Sequence, residues 1–343
     1  MDDRMSVGNG GCYGESRLER CDWYGANTFH HEGFSDIEGL LQAKERAGKS
    51  ISVCLPSMNE ASTIGTILEL TRSELMSKVP LIDQLCVVDG GSEDGTREIA
   101  RDAGAEVYAQ EEILPGRYES MGKGDALWRS LYCSWGDIIV WIDSDIRNFH
   151  PRFVYGIIGP LITIPGIRYV KGFYQRPIEA EQQLLSNLGG RVTELVARPL
   201  LSLFFPELGA LIQPLSGEYG GDRELLEKIP FFSGYGVEIG MLMDIYSRFG
   251  MDTIGQVDLV ERLHYNQPVS ALGRMAFQIM QAVFIRLQEQ GRMKLLEDYA
   301  TEMTQVDYRD GEYLLRKKIL HVEERPPMIE IEEYHERFER GKR

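Results

Sequence analysis

The sequence lacks an apolar run long enough to cross a membrane. A transmembrane helix needs about 20 consecutive apolar residues. The longest runs, such as 154–167, are interrupted by glycine and proline. The acidic N-terminus carries no signal-peptide pattern either. We therefore expect a cytoplasmic protein that does not associate with membranes.

Cysteine is also scarce, and its spacing excludes common metal and redox motifs. The five cysteines form no C-x-x-C pair, and three of them lie within apolar segments. This pattern favours reduced, buried thiols over disulfides or a zinc site. The residues are Cys12, Cys21, Cys54, Cys86 and Cys133.

Positive charge is in deficit, since the formal net charge is -16. This balance disfavours nucleic acid as a partner, because the mean field of the protein would repel phosphates. A small anionic substrate remains compatible with the sequence. It would need local lysine and arginine clusters, helix N-termini or a divalent cation to overcome that field.

The chain does have the apolar content of a folded protein, 43% of 343 residues, which is enough for one large α/β domain with an appendage or for two domains. From residue 50 onwards, strand-like and helix-like segments alternate. Strands that alternate with helices form a mostly parallel sheet covered on both faces. We predict strands at 50–55, 84–89, 105–109, 137–142 and 253–263, and helices at 62–76, 94–103, 123–134 and 268–292.

Ligands of such a sheet bind at the C-terminal ends of its strands. The loops expected at that edge include an acidic triplet in which Asp143 and Asp145 are one residue apart. On an extended strand their side chains would point the same way, about 7 Å apart. Because two unpaired carboxylates are costly to bury, we expect a cation, a sugar hydroxyl or water to meet them. A solvated turn is the alternative.

Two further loops at this edge carry residues that suit other parts of a ligand. Gly90 and Gly91 follow Asp89 and allow the backbone to approach a flat ligand closely. The third glycine of a dinucleotide fingerprint is missing, which disfavours a classical NAD site. Lys123 opens a helix between two glycines, a position that suits a phosphate, although an ordinary surface lysine would look the same.

Several motifs resemble the nucleotide-binding half of GT-A glycosyltransferases. These are "LPSMNEASTIG", "VVDGGSEDGT", "GKGDALWRSL" and "DIIVWIDSDI". Downstream motifs resemble, more specifically, the bacterial glucosyl-3-phosphoglycerate and mannosyl-3-phosphoglycerate synthases, and the resemblance covers residues 50–285. The downstream motifs are "YVKGFYQRP", "GGRVTELVARPLL", "PLSGEYGGDRELL", "GYGVEIGMLMD" and "HYNQPV".

This resemblance implies an α/β fold with a GT-A, Rossmann-like nucleotide-sugar-binding domain, a mostly parallel sheet, and helical acceptor-binding and C-terminal parts. Four regions follow from it and from the composition. They are a partly disordered N-terminal arm (1–48), a nucleotide-sugar-binding region (49–175), an acceptor-binding and metal-completing region (176–290) and a C-terminal tail (291–343).

The resemblance also implies a reaction. A retaining transferase of this kind moves glucose or mannose from a nucleoside-diphosphate sugar to the 2-hydroxyl of 3-phosphoglycerate, with help from Mg²⁺ or Mn²⁺. The product would be a precursor of glucosylglycerate or mannosylglycerate, which are compatible solutes. The donor base, the donor sugar and the choice between a carboxylate nucleophile and a front-side attack stay open.

Site residues are transferred from the resemblance residue by residue. The catalytic residues would be Asp145, Glu238 and Lys123. The donor would be bound by Leu55, Pro56, Ser57, Met58, Glu60, Gly91, Lys123, Asp143, Ser144 and Asp145. The acceptor would be bound by Gly190, Arg191, Val192, Thr193 and Asn266, and the metal by Asp145 and His264.

Structural interpretations exist for several of these residues. Arg191 could pair with Glu194 on a helix surface, Glu218 and Glu238 could cap backbone amides, and His264 could be a satisfied polar residue. A related transferase with another acceptor, or a protein that only binds nucleotide sugars, also remains open.

A haloacid-dehalogenase-like phosphatase is a more remote alternative, because Arg147 stands where such motifs usually have threonine or valine. The amphipathic helix at 268–292 and the charged tail could pair with a second copy. Since the resembling family is commonly dimeric, we expect a homodimer.

Overall fold

A twisted sheet of eight strands forms the centre of the molecule. The computed structural model describes residues 22–119, 121–176, 190–263 and 267–340. The strand order is β1-β9-β6-β7-β5-β2-β3-β4. The strands are β1 (Thr28–His30), β2 (Ile51–Ser57), β3 (Gln84–Asp89), β4 (Glu106–Ala109), β5 (Ile138–Trp141), β6 (Tyr169–Gln175), β7 (Tyr219–Asp222), β8 (Phe231–Phe232), β9 (Ile254–Glu261), β10 (Glu302–Arg309), β11 (Glu312–Ile319) and β12 (Glu324–Arg325).

Helices cover both faces of this sheet. The helices are α1 (Asp22–Asn27), α2 (Ile37–Ala47), α3 (Ile64–Arg72), α4 (Thr96–Asp102), α5 (Gly122–Cys133), α6 (Arg152–Thr163), α7 (Arg198–Phe204), α8 (Arg223–Leu226), α9 (Val237–Phe249), α10 (Val269–Glu289) and α11 (Glu332–Arg340). A π-helical turn extends α3 over Ser73–Lys78, and a second one, Thr193–Ala197, leads into α7.

The central strands are buried on both faces, as expected for parallel strands between helical layers. In β3, for example, every residue is buried. One core cluster lies beneath α5, α9 and α10, and the other beneath α2, α3 and α6. The predicted α/β fold with a mostly parallel sheet is therefore confirmed.

One strand of the main sheet runs against the others. β7 is antiparallel to both of its neighbours, with Trp141 opposite Tyr219 and Lys171 also opposite Tyr219. Because β7 is reversed, its first residues lie at the edge where the parallel strands end. The S-G-E-Y segment before and at the start of β7 therefore joins the loops that follow β2, β3 and β5.

The predicted strands and helices from residue 50 to 142 each have a counterpart in the structure, with ends that differ by a few residues. The segment 22–48, which we placed in an N-terminal arm, also contributes regular elements: β1 pairs in parallel with β9, and α2 packs on α6. Asp36 caps α2, and Gly48, with φ of 60°, ends it. Residues 1–21 lie outside the described part of the chain.

The C-terminal segment packs on the elements that form the site. β12 pairs with β8, and the backbone of Glu323 exchanges hydrogen bonds with Ser233. Arg325 is buried and donates to Asp125 on α5 at 2.6 Å, while Trp128 donates to the carbonyl of Pro326. This segment therefore supports α5 and the chain that precedes α9.

The three described cysteines, Cys54, Cys86 and Cys133, are free and buried, as expected from their spacing. Cys12 and Cys21 lie outside the described residues. None of the helices in the described ranges combines the length and the apolarity that a membrane span requires.

Candidate active site

A partly buried ion triad lies at the C-terminal edge of the sheet. The ammonium of Lys123 lies 2.6 Å from Oδ1 of Asp143 and 2.9 Å from Oε1 of Glu238. Lys123 comes from the first turn of α5, Asp143 follows β5, and Glu238 lies in the first turn of α9. Three residues that the sequence places far apart, each predicted as a site residue, therefore meet at one point.

Two glycines explain how α5 and α9 come so close. A Cβ atom at Gly124 would overlap the carbonyl oxygen of Phe232, so α5 can press directly against the backbone before α9. Gly234, with φ of 60°, donates its N–H to the carbonyl of Met121 at 3.0 Å. The left-handed conformation favours glycine at position 234. These backbone contacts bring Lys123 and Glu238 within reach of each other.

Two members of the ion triad, Lys123 and Asp143, are held in their charged forms. Burial opposes the charge on Lys123, but Asp143 and Glu238 outweigh it and raise the pKa of this ammonium. Burial likewise opposes ionisation of Asp143, but Lys123 and Arg262 hold the pKa of its carboxyl below the usual range. Both groups therefore stay charged near neutral pH.

Arg262, which we did not predict as a site residue, connects the remaining carboxylates. Its Nη2 lies 3.1 Å from Oδ2 of Asp143 and also contacts Asp145, so the two aspartates share one side of the chain. Its Nε lies 3.4 Å from Glu218, and Nη1 donates to the hydroxyl of Tyr174. In the sequence, Arg262 directly follows the residues of β9 and stands two residues before His264.

The acidic triplet is fixed against the end of β2. The Ser144 hydroxyl donates to the carbonyl of Pro56 at 2.7 Å, and the Thr63 hydroxyl donates to the carbonyl of Ser144 at 2.6 Å. Asp145 remains partly exposed. The triplet is therefore a rigid turn with one carboxylate open to solvent, rather than a freely solvated loop.

Negative charge accumulates around Asp145. Burial, together with Asp145 and Asp143, raises the pKa of Glu60 to about 7. Carboxylate oxygens at such a spot are the ligands that Mg²⁺ and Mn²⁺ prefer. The residues therefore fit a divalent cation, whose charge would relieve this repulsion. The other predicted ligand, His264, lies outside the described residues.

The predicted donor-binding residues between 55 and 91 lie at the end of β2 and in the loops after β2 and β3. Met58 is exposed, Glu60 and Pro56 are half-buried, and Ser57 is buried. Gly91 has φ of 102° and donates to Asp89. Leu55 points into the core, with 1% of its surface exposed, so a role in donor binding would have to come from its backbone.

Of the predicted acceptor residues, 190–193 are described, and Gly190 lies close to Arg176 just after β6. Arg191 donates to the carbonyl of Gln267 at 2.9 Å and is exposed, while Glu194 pairs with Arg198 and not with Arg191. The surface-pair interpretation of Arg191 is therefore wrong. Val192 and Thr193 are buried, Gly190 is half-buried, and Asn266 lies outside the described residues.

A second unpredicted cation lies close to the acceptor residues. Nη1 of Arg176 would be 3.0 Å from a Cβ atom at Gly190, and its Nη2 donates to the Tyr174 hydroxyl. The motif Y-Q-R-P was noted in the sequence, but nothing in one sequence indicated which way its arginine points.

Comparison with known proteins agrees with this geometry. The family model "Glycosyl transferase family 2" matches residues 52–164. A glucosyl-3-phosphoglycerate synthase of Petrotoga mobilis is 51% identical over 312 residues, which cover 91% of this chain and 96% of that protein. The chain belongs to the glucosyl-3-phosphoglycerate synthase family. It is accordingly a hexosyltransferase with a GT-A fold, which disfavours the phosphatase alternative.

Solved structures of the family superpose well on the chain. Mannosyl-3-phosphoglycerate synthase from Rubrobacter xylanophilus has a TM-score of 0.83 at 39% identity and covers 90% of this chain and 97% of its own. Glucosyl-3-phosphoglycerate synthase from Mycobacterium tuberculosis, solved with Mn²⁺, UDP and glucosyl-3-phosphoglycerate, has a TM-score of 0.76 at 43% identity and covers 89% and 99%. Another structure of the mycobacterial enzyme contains Mg²⁺ and UDP.

The raised pKa of Glu60 predicts a specific pH dependence of stability. A carboxyl whose pKa is higher in the folded state stabilises the fold at low pH, and this contribution is lost as the pH rises through the folded pKa. Compared with Glu60→Gln, the melting temperature of the wild type should therefore fall as the pH rises from 4.5 to about 7. These are the ordinary pKa of the carboxyl and its raised pKa in the folded protein. Calorimetric scans of both proteins without metal measure this.

The matched control is Glu93→Gln, an exposed carboxylate in the neighbouring loop, which should show no such pH-dependent difference. A melting-temperature difference between wild type and Glu60→Gln that stays constant over this interval would contradict the assignment.

Proposed function

We propose that this protein transfers a hexose from a nucleoside-diphosphate sugar to the 2-hydroxyl of 3-phosphoglycerate, with retention of configuration at the sugar. The triad of Lys123, Asp143 and Glu238 beside the open carboxylate of Asp145 is the observation that supports this most directly. It combines a cation for the departing diphosphate with carboxylates for the sugar. The product would be a precursor of glucosylglycerate or mannosylglycerate.

The departing nucleoside diphosphate needs compensation for its developing negative charge. We propose that Lys123 supplies part of it, and that Asp145 and His264 hold Mg²⁺ or Mn²⁺. When bound, the cation would neutralise diphosphate oxygens as a Lewis acid. Lys123 would then exchange its contact with Asp143 for one with a phosphate oxygen. Asp143 would become available to the sugar, while Glu238 stays paired with Lys123.

We propose a front-side route for the transfer. The bond between the anomeric carbon and the phosphate oxygen breaks, the bond to the acceptor oxygen forms on the same face, and the hydroxyl proton passes to the departing phosphate. Glu238 is buried and neutralised by Lys123, which reduces its nucleophilicity. In this route Glu238 orients the sugar and stabilises positive charge at the anomeric carbon.

The reaction is tested by initial rates with UDP-glucose, GDP-glucose and GDP-mannose, each with and without 3-phosphoglycerate. We expect release of the nucleoside diphosphate only when the acceptor and Mg²⁺ or Mn²⁺ are present, with a glycosylated 3-phosphoglycerate as the product. A chelator should abolish turnover. Turnover with a different acceptor but not with 3-phosphoglycerate would reject the proposed substrate.

Arg191→Ala should raise KM for 3-phosphoglycerate by about tenfold to a hundredfold, since a charge-assisted hydrogen bond contributes roughly 1.5 to 3 kcal/mol. Donor binding should change little, because Arg191 lies outside the ion triad. The control is Arg198→Ala, which removes a neighbouring arginine that pairs with Glu194 and backbone carbonyls. Equal weakening of donor and acceptor by Arg191→Ala would reject its role.

We also propose that the protein is a homodimer in which the β10–β11 hairpin contacts a second copy. The inner face of the hairpin rests on α10, where Gln305 bonds to Ser270 and Arg274. Its outer face carries Val306 opposite Leu315 and Tyr308 opposite Tyr313, all exposed. An apolar sheet face of this kind is typical of a protein interface.

Leu315→Asp should therefore convert a dimer into a monomer, since it places a charge at the centre of the outer face. The measurement is multi-angle light scattering at micromolar concentration, and Arg101→Glu on α4 serves as the surface-charge control. A wild-type protein that runs as a single species of monomer mass would contradict the dimer.

A further inference from the structure

A fully buried lysine lies beneath the candidate active site and has no role in the function proposed above. Lys171 is at the centre of β6, with 1% of its surface exposed. Its ammonium donates to the carbonyl of Ser216 at 2.6 Å and lies 3.8 Å from the centre of the Tyr219 ring. Both contacts are to the segment that leads into the reversed strand β7.

That segment forms a turn fastened to β6 at two points. Lys171 binds the carbonyl of Ser216, and the backbone N–H of Gly172 donates to the carbonyl of Glu218 at 2.8 Å. The residue between these two anchors is Gly217. The position of Gly217 is therefore fixed, because both of its neighbours are hydrogen-bonded to β6.

Gly217 in turn packs directly against Asp143. A Cβ atom at position 217 would overlap the carboxylate of Asp143, so only glycine lets the turn approach this closely. The two carboxylate oxygens of Asp143 face Lys123 and Arg262. The turn thus forms the wall that limits how the Asp143 carboxylate can rotate or withdraw.

We propose that Lys171 is a positioning residue: it holds the Ser216–Gly217 turn against Asp143 and thereby orients this carboxylate toward the nucleotide-sugar donor. This inference rests on the proposed function, in which Asp143 contacts the donor. Lys171 itself is not a substrate contact in this proposal, because its side chain is buried, with 1% of its surface exposed, and its ammonium is bonded to the carbonyl of Ser216.

The surroundings act on the charge of this buried amine in opposite directions, and both its charged and its neutral form can donate to the carbonyl of Ser216. Burial lowers the pKa of Lys171 to about 7, while Glu238, Glu218 and Asp143 act in the opposite direction. The face of the Tyr219 ring adds a cation–π contact. An apolar side chain would fill the space, but it would leave the buried carbonyl of Ser216 without this donor and the turn without its anchor.

The test is donor and acceptor binding by titration calorimetry, using UDP-glucose or GDP-mannose with Mn²⁺ in one arm and 3-phosphoglycerate in the other. Lys171→Met should weaken donor binding about tenfold or more, as expected for a displaced charged contact. Binding of 3-phosphoglycerate alone should stay within about twofold of the wild type, which is well below the effect of one lost charged contact. Lys171→Gln has a shorter, polar side chain and should also weaken donor binding. It replaces Lys171→Met in the test if that variant does not fold.

Two further variants separate positioning from general destabilisation. Lys44 is also a buried lysine, bonded to Asp83 and the carbonyl of Pro80 far from the site. Lys44→Met should lower the melting temperature without weakening donor binding. In an Asp143→Ala background, Lys171→Met should cause little additional loss of donor binding, because both changes act through the same carboxylate.

The outcomes distinguish this inference from the proposed function. If the wild type binds neither nucleotide sugar, the proposed function fails and this inference with it. If the wild type binds donor and the Lys171 variants bind it equally well, only the positioning role is overturned. Equal weakening of donor and acceptor, a similar donor loss in Lys44→Met, or full additivity with Asp143→Ala would also overturn it.

Discussion

The contact of Lys123 with Asp143 and Glu238 is the constraint on which the candidate site depends. One ammonium and two carboxylates that are partly removed from water are stable only when the opposite charges lie at short distance. The chain must therefore bring the start of α5, the end of β5 and the start of α9 to one place. Glycines in the G-K-G and G-Y-G motifs permit this approach, and the C-terminal segment packs behind it.

The reversed strand β7 is the second architectural requirement. In an all-parallel sheet, the chain entering a strand would lie at the edge opposite the ligand. Because β7 is antiparallel, Glu218 and the turn before it reach the same edge as Asp143 and Asp145. Glu218 therefore lies close to the two aspartates, and Arg262 contacts the carboxylates of all three residues.

The local charge distribution reconciles an acidic protein with anionic substrates. The chain has a net charge of -16, yet Lys123, Arg262, Arg176 and Arg191 lie around one edge of the sheet. Lys123 and Arg262 are paired with carboxylates at this edge, which partly offset their attraction for a phosphate. Arg176 and Arg191 contact an uncharged hydroxyl and an uncharged carbonyl, so their attraction for a nearby phosphate is stronger than the repulsion from distant surface carboxylates. A divalent cation at Asp145 would add to this attraction.

The sequence by itself determined the alternation of strands and helices, the edge at which ligands bind and the motifs of the family, because hydrophobic periodicity and loop chemistry are local properties. Loop chemistry indicated Lys123 and Asp143, and the family resemblance added Glu238, although the contacts of these residues with one another were not predicted. Only the tertiary structure decided the partners of Arg262, the orientation of Arg176, the buried position of Lys171 and the inward direction of Leu55. These features depend on contacts between residues far apart in the sequence, formed where β7 is reversed and where a glycine permits close packing. Such contacts produce no periodic pattern in a single sequence.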